Sequence, residues 1–127
     1  MNNVKLPHIL VIDDDEMVCM MLSDILGKEG FEIVVASNGR EGLEQCRDVR
    51  PDMILLDVMM PEMDGFAVLD VLRTERELSQ IPVIVVTAKE LTSIEKQRLS
   101  GKAQSLMQKG AFNEQDIVDQ MLKVLNQ

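Results

Sequence analysis

Three aspartates stand directly after two short apolar segments of the chain. Asp13 and Asp14 follow residues 9–12, and Asp57 follows residues 53–56. Apolar runs of this length between turn-forming residues are typical of strands buried on both faces of a parallel sheet. A carboxylate at the carboxyl end of such a strand lies at the edge where ligands bind in open α/β sheets. Because a charge near the core needs a compensating partner, these aspartates predict a cation in the same cleft.

A hydroxyl and an ammonium group follow two later apolar segments. Thr87 comes after residues 83–86, and Lys109 comes after residues 104–108. All strands of a parallel sheet end at one edge, so both side chains are expected near the aspartates. Clustered carboxylates raise one another's pKa unless a cation intervenes, and their hard oxygen atoms suit Mg²⁺ or Mn²⁺. A metal, an ammonium and a hydroxyl together predict a site that stabilises a phosphoryl group.

Each of these residues also has an ordinary structural explanation when it is taken alone. An acidic run after a strand is commonly the first turn of a helix. Thr87 could cap a strand end, Lys109 could be a solvated charge, and Asp57 could be a loop residue. Complementary groups at four different strand ends are what favour a functional site.

The elements that must position these groups are five strand-like segments alternating with five helical patterns. The predicted strands are residues 8–12, 32–36, 53–56, 83–86 with Thr87 at the end, and 104–108. Strict alternation predicts a parallel sheet with helices on both faces and right-handed crossovers. The expected fold is an α/β (βα)5 three-layer sandwich of the flavodoxin-like type, with strand order 2-1-3-4-5. Residues 1–127 are expected to form a single domain.

Apolar residues at helical spacing follow each predicted strand. The inner face of the first helix is predicted to be Val18, Met21, Leu22, Ile25 and Leu26, with Gly27 or Gly30 as its end. Residues 17–22 are apolar throughout, more than one face can bury, so Met17 and Met20 are expected to stay exposed beside the cleft. The second helix is predicted to end before Pro51 with Leu43 and Cys46 on its inner face, and the third has Phe66, Leu69 and Leu72. The fourth is a weak helix over residues 91–99. The fifth is capped by Asn113, and its inner face is Ile117, Val118, Met121, Leu122 and Leu125.

The composition excludes several classes of function. The formal net charge is −9 and Lys and Arg form no run, which argues against non-specific nucleic-acid binding. No apolar stretch approaches the roughly 18 residues that span a membrane, and the first residues lack a signal-peptide core, so a cytoplasmic location is expected. Cys19 and Cys46 have no metal or redox spacing and are expected to be reduced, buried thiols. The single histidine, His8, is expected to be an ordinary strand-end residue.

The chain resembles a two-component response-regulator receiver (CheY-like) domain over nearly all of its length. The resemblance lies in Asp13-Asp14, in the segment Leu-Leu-Asp-Val-Met-Met-Pro-Glu-Met-Asp-Gly at residues 55–65, in Thr87-Ala88 and in Lys109. It implies a phosphorelay signalling domain that switches protein–protein interactions. By the same resemblance it is not an enzyme, beyond assisting its own phosphorylation and dephosphorylation.

The resemblance also implies a role for each site residue. Asp57 would accept a phosphoryl group from a histidine kinase or a histidine phosphotransfer domain. Asp14, Asp57 and the backbone carbonyl of Met59 would bind Mg²⁺ directly, and Asp13 would bind it through water. Thr87 would move to hydrogen-bond the phosphoryl group, and Lys109 would pair with it. The resemblance leaves homodimer formation open, and it implies neither nucleic-acid binding nor membrane insertion.

The chain departs from the family pattern at positions that matter for switching. Gly110 follows Lys109 where the family has a proline in a cis peptide, so we expect a trans bond with a remodelled loop, or a strained cis bond. Residues 109–112 are similar to a variant found in receivers of hybrid histidine kinases. Leu106 replaces the aromatic residue that usually swings inward, and the chain has no Tyr or Trp. Met59 and Lys89 occupy the two positions that tune phosphoryl hydrolysis in this family.

Other functions fit the sequence less well. A haloacid dehalogenase-type phosphohydrolase requires Asp-x-Asp-x-Thr, but Met17 stands where the Thr belongs and no cap domain is evident. A flavodoxin phosphate loop would be repelled by the acidic run, and a dinucleotide site lacks its Gly-rich fingerprint. The alternative that remains is a receiver-like interaction or dimerisation module that no longer switches, which Gly110 and Leu106 leave open.

Overall fold

Five parallel strands form one sheet in the computed structural model, which describes residues 6–126. The strands are β1 His8–Ile12, β2 Glu32–Ala36, β3 Met53–Leu56, β4 Val83–Thr87 and β5 Ser105–Gln108. The helices are α1 Glu16–Lys28, α2 Gly39–Val49, α3 Gly65–Thr74, α4 Ser93–Leu99 and α5 Glu114–Leu125. The strand order is β2-β1-β3-β4-β5 with every pair parallel, which confirms the predicted topology.

Buried side chains form one core on each face of the sheet. Leu10 and Ile12 of β1 belong to the core that α2, α3 and α4 cover. Ile9 and Val11 belong to the opposite core, which α1 and α5 cover. Successive side chains of a strand point to opposite faces, so a strand covered on both sides must be apolar at every position. That requirement explains the unbroken apolar runs of β1, β3 and β4.

Helix α1 lies with a slightly different face towards the sheet than the sequence predicts. Cys19 is buried together with Leu22, Ile25 and Leu26, whereas Met21 is 49% exposed, so the prediction for Met21 was wrong. Residues spaced three and seven apart from Cys19 define this face, and the smaller thiol fits against the sheet. The predicted exposure of Met17 and Met20 is confirmed, at 79% and 68%.

The ends of α1 are set by local chemistry. Asp15 is the N-cap, and its carboxylate accepts hydrogen bonds from the amides of Met17 and Val18. At the other end Gly30 adopts a φ of +91°, a left-handed conformation that glycine takes without steric cost. Of the two glycines predicted as helix ends, Gly30 therefore ends α1, and Gly27 lies inside it.

Helix α4 and strand β5 differ from the prediction at their first residues, and α5 differs in the face that it buries. Thr92 and Glu95 form a capping box, so α4 begins at Ser93, and β5 begins one residue later than predicted, at Ser105. Asn113 caps α5 as predicted, by accepting a hydrogen bond from the Asp116 amide. Leu122 was wrongly assigned to the inner face of α5, because it is 43% exposed and Val124 is buried instead.

Several smaller expectations are also decided by the fold. The Lys109–Gly110 bond is trans, since no cis peptide occurs in residues 6–126, and Gly110 has a φ of +84°. Cys19 and Cys46 are free and buried, as expected. His8 is a strand-end residue whose Nε2 lies 2.7 Å from Glu32 Oε2. Within the same residue range, no helix has both the length and the apolar character needed to cross a bilayer.

Candidate functional site

The carboxyl ends of β1 and β3 bring the three aspartates together. The two strands are neighbours, with Ile12 paired to Leu56, so the residue after each strand end stands beside its counterpart. The Asp57 amide donates a hydrogen bond to the Ile12 carbonyl at 3.0 Å, which fixes the start of the β3–α3 loop against β1. Carboxylate oxygens of Asp13, Asp14 and Asp57 consequently lie within 4.8 Å of one another.

Lys109 extends from the end of β5 into the aspartate cluster. Its backbone amide donates to the Thr87 carbonyl at 2.7 Å, which holds it beside the end of β4. Its Nζ lies 2.7 Å from Asp13 Oδ2 and 3.3 Å from Asp57 Oδ2. Burial by itself lowers the pKa of the Lys109 ammonium, but the hydrogen bonds and charges of the two aspartates together raise it above its usual value.

Asp13 is a buried carboxylate that one ammonium does not fully compensate. It is only 3% exposed. Burial raises its pKa, the hydrogen bonds from Lys109 and from the Asp15 amide lower it, the charge of Asp57 raises it again, and the net direction is upward. A buried acid with a raised pKa is a position where more positive charge would be favourable. The cluster therefore fits a divalent cation as well as the lysine.

The donor atoms of the cluster suit Mg²⁺ or Mn²⁺. Asp13 and Asp57 are buried and Asp14 is exposed, so the group opens to solvent on one side. Asp57 Oδ1 accepts a hydrogen bond from the Met59 amide at 2.9 Å, and each carboxylate oxygen keeps a further lone pair for a metal. Mg²⁺ prefers one or two carboxylates and retains several waters, which an open acidic cleft allows. The metal role of the Met59 carbonyl remains a prediction from the resemblance.

Thr87 occupies the end of β4, next to the strand that carries Asp57. Its side chain is fully buried, and Oγ1 accepts a hydrogen bond from the Lys89 amide at 3.4 Å. In the part of the chain that the structure describes, this hydroxyl has no hydrogen bond to the aspartates or to Lys109. The structure thus clusters four of the predicted side chains, and it leaves Thr87 at the rim with its hydroxyl proton free to be donated.

Helix α3 begins in direct contact with the backbone of Asp57. Asp64 caps this helix by accepting from the Ala67 amide at 3.0 Å. A Cβ placed on Gly65 would lie 2.4 Å from the Asp57 carbonyl oxygen and 2.5 Å from Val58 Cα. Asp64 and Gly65 entered the sequence analysis only as part of the segment that carries the resemblance, and this contact was not predicted. A glycine placed directly after a capping aspartate was the available signal.

An ion pair that the sequence did not reveal joins the β4–α4 loop to helix α4. Lys89 Nζ lies 2.6 Å from Glu95 Oε2. A cavity of about 510 Å³ separates this pair from the β3–α3 loop, and its walls include Met59. Arg98 also lines the cavity, with its guanidinium 4.3 Å from the centroid of the Phe66 ring. The space beside the aspartate cluster is therefore bordered by two cations from the loop and helix α4.

The family model described as "Response regulator receiver domain" matches residues 9–122. The polar-differentiation response regulator DivK of Brucella anthropi is 33% identical over 101 residues, which are 80% of this chain and 82% of that protein. The DNA-binding response regulator MtrA of Mycobacterium tuberculosis is 43% identical over 82 residues, which are 65% of this chain. Those residues are 35% of MtrA, so the chain matches only about a third of that relative's length.

Solved structures agree with this family. The Vibrio cholerae chemotaxis protein CheY4 superposes with a TM-score of 0.87 at 28% identity, covering 94% of this chain and 99% of CheY4. The signal receiver domain of a signal transduction histidine kinase from Syntrophus aciditrophicus gives a TM-score of 0.85 at 30% identity, covering 94% of this chain and 90% of that one.

Proposed function

The chain belongs to the family of response regulator receiver domains, and we propose that Asp57 is its phosphoacceptor. The phosphoryl donor is a phosphohistidine of a histidine kinase or of a histidine phosphotransfer domain. The observation that supports this most is the combination around Asp57, which is 5% exposed and 3.3 Å from the Lys109 ammonium, with two more carboxylates within 4.8 Å. A lone structural aspartate would not need that surrounding.

The transfer follows from the groups around Asp57. The Met59 amide holds Asp57 Oδ1 and so fixes the orientation of the carboxylate. A carboxylate oxygen of Asp57 attacks the phosphorus, the O–P bond forms as the P–N bond to the donor's imidazole breaks, and the imidazole nitrogen keeps the electron pair. Mg²⁺ held by Asp13, Asp14 and Asp57 would supply positive charge to the phosphoryl oxygens. In phosphoryl transfer such positioning and charge provide most of the catalysis.

The remaining site residues act on the phosphorylated form. Lys109 offers its ammonium to the phosphoryl oxygens, and Thr87 donates its free hydroxyl proton to one of them. The domain then works as a switch for protein partners, with turnover limited to gain and loss of its own phosphoryl group. A kinase or phosphotransfer domain as donor implies that it acts in the cytoplasm.

A receiver-like interaction or dimerisation module that is never phosphorylated is the second candidate. Leu106 favours it, because this residue is 39% exposed and stands where the family has its switching aromatic residue. The aspartate cluster with Lys109 favours a phosphorylated domain. The two candidates differ in one measurable property, the covalent modification of Asp57.

Intact-mass spectrometry after incubation with Mg²⁺ and acetyl phosphate tests the proposal. We expect the wild type to gain the mass of one phosphoryl group when Mg²⁺ is present. We expect no gain without Mg²⁺, and none in Asp57→Ala. Asp48→Ala, which removes an exposed aspartate of α2, is the matched control and should be modified like the wild type. A folded, Mg²⁺-binding wild type that gains no mass would contradict the proposal and favour the non-switching module.

A further inference from the structure

The Glu95 carboxylate, in the first turn of α4, accepts hydrogen bonds from two donors, a backbone amide and a lysine ammonium. Its Oε1 accepts the Thr92 amide at 3.0 Å, and Thr92 Oγ1 accepts the Glu95 amide at 3.2 Å, which completes the capping box. Its Oε2 binds Lys89 Nζ at 2.6 Å. The same carboxylate therefore stabilises the first turn of α4 and serves as the counter-ion of a lysine from the preceding loop.

The backbone of Lys89 is attached to the phosphoacceptor side of the molecule. Its amide donates to Thr87 Oγ1 at 3.4 Å, two residues beyond the end of β4. Val58 and Met59, the two residues after Asp57, line the 510 Å³ cavity together with Lys89 and Glu95. A lysine side chain is a flexible stem with a compact charge, so the open cavity gives Lys89 room to change partner.

We propose that Lys89 is a second cation for the phosphoryl group on Asp57, and that Glu95 holds it away until Asp57 is phosphorylated. The inference rests on the proposed function, because the phosphoryl group is the ligand that Lys89 would bind. It gives the residue two positions with different partners, Glu95 before phosphorylation and the phosphoryl oxygens afterwards.

The relative strength of the two partners favours the exchange. The side chains of Lys89 and Glu95 are 38% and 20% exposed, and ion pairs as exposed as this are weakened by solvent screening and contribute little. A phosphoryl group carries a charge of roughly −2 and would sit on a carboxylate that is 5% exposed, where screening by water is weaker. Of the two cations along the cavity, Arg98 is already stacked over Phe66. Lys89 is the one held by a weak partner.

The exchange would carry the phosphorylation signal to α4. When Lys89 leaves, Glu95 loses its counter-ion, and the first turn of α4 loses its link to the β4–α4 loop. Ile94, in the same turn, is 72% exposed and available to partner proteins. The chain has no Tyr or Trp that could report the state of Thr87 to this surface. An ion-pair exchange supplies a coupling that needs no aromatic side chain.

Binding of beryllofluoride with Mg²⁺, followed by ¹⁹F NMR, tests the proposal on the intact chain. Beryllofluoride mimics the phosphoryl group on a carboxylate, so its dissociation constant reports the cations around Asp57. We expect Lys89→Met to weaken binding about tenfold, as for loss of one hydrogen bond to a charged group. Glu95→Gln should tighten binding about threefold, because it removes a competing ion pair of modest strength. Gln can keep the capping box, so the helix should remain formed.

The opposite signs of the two variants separate this role from a purely structural one. If the ion pair only stabilised the loop, both substitutions would weaken binding, and the proposal would be overturned. The double variant Lys89→Met/Glu95→Gln should bind like Lys89→Met alone, since Glu95 acts through Lys89. Lys96→Met, which removes an exposed lysine of the same helix, should bind like the wild type. An equal loss in Lys96→Met would assign the effect to general surface charge and overturn the proposal.

A second readout follows the helix directly. Beryllofluoride should shift the amide resonances of Thr92 and Glu95 in the wild type, and should shift them much less in Lys89→Met. If the wild type and Lys89→Met bind beryllofluoride equally well, this inference is overturned and the proposed function is left intact. A folded wild type that binds no beryllofluoride with Mg²⁺ would overturn both.

Discussion

Polar burial in this protein is concentrated at one place. Among residues 6–126, the buried polar or charged side chains are Asp13, Asp57 and Thr87, at 3%, 5% and 0% exposure. A buried carboxylate lowers stability unless it is paired and hydrogen-bonded, and here two of them share one ammonium at 2.7 and 3.3 Å. Stability alone gives no reason for such an arrangement. The proposed function does, because the metal and the phosphoryl group that we propose as ligands would need this charge.

The two cysteine thiols differ from the buried carboxylates of the site, because burial makes the thiols unreactive. Burial raises the pKa of Cys46 to about 12, and burial with the nearby charge of Asp13 raises that of Cys19 to about 11. The reactive thiolate forms only as the pH approaches these values, so at pH 8 the folded protein should react very slowly with Ellman's reagent. Unfolding in guanidinium chloride should release both thiols to rapid reaction. Fast reaction of the native protein at pH 8 would contradict this prediction.

At the scale of elements, the site depends on how closely α3 approaches the end of β3. The Gly65 amide lies 3.3 Å from the Val58 carbonyl oxygen, and the α carbon of Gly65 has no room for a side chain. The contacts are backbone atoms, which cannot move aside as the end of a flexible side chain can. The start of α3 and the backbone of Asp57 therefore form a single packed unit.

Two glycine substitutions should shift stability in opposite directions. Gly65→Ala should lower the free energy of unfolding by about 1–3 kcal/mol, the usual range for overpacking, and should weaken Mg²⁺ binding by displacing Asp57. Gly27→Ala is the matched control inside α1, where a Cβ meets nothing within 4 Å, and it should raise stability by about 0.5–1 kcal/mol. Urea unfolding monitored by circular dichroism measures the free energy of unfolding of both variants. Equal stabilities for the two variants would show that α3 does not press on the backbone of Asp57.

At the scale of the whole molecule, the acidic cleft links metal binding to folding. The chain has a formal net charge of −9, and three of its carboxylates meet within 4.8 Å. Repulsion among them acts only in the folded state, where they are held together. A cation that binds this cluster in the folded state stabilises the protein by mass action.

Asp13→Asn should therefore stabilise the metal-free protein and reduce its response to Mg²⁺. Removing one of three clustered charges relieves repulsion, so the melting temperature without Mg²⁺ should rise. Mg²⁺ at a hundred times its dissociation constant should add about 2.7 kcal/mol to the stability of the wild type, and clearly less at the same concentration to the variant. Thermal unfolding with MgCl₂ or EDTA measures both effects. A variant that melts lower than the wild type in EDTA, or that gains as much from Mg²⁺, would contradict this account.

The sheet, its strand order and the strand ends that meet could all be predicted from the amino-acid sequence. Unbroken apolar runs identify strands covered on both faces, and alternation with helices leaves few topologies. In a parallel sheet the ends of all strands share one edge, so Asp13, Asp57 and Lys109 could be placed together although 96 positions separate the Asp13–Lys109 pair.

The individual atomic contacts could be identified only in the folded structure. No sequence pattern indicates that Lys89 binds Glu95, that Lys109 lies closer to Asp13 than to Asp57, or that Gly65 packs against the Asp57 backbone. The periodicity of the sequence also placed Met21 on the inner face of α1, where the structure leaves this residue 49% exposed. Such details depend on helix rotation, side-chain rotamers and loop paths. Those are set by packing between segments that are distant in the sequence. Hydrophobic periodicity indicates only which residues of a single segment share a face.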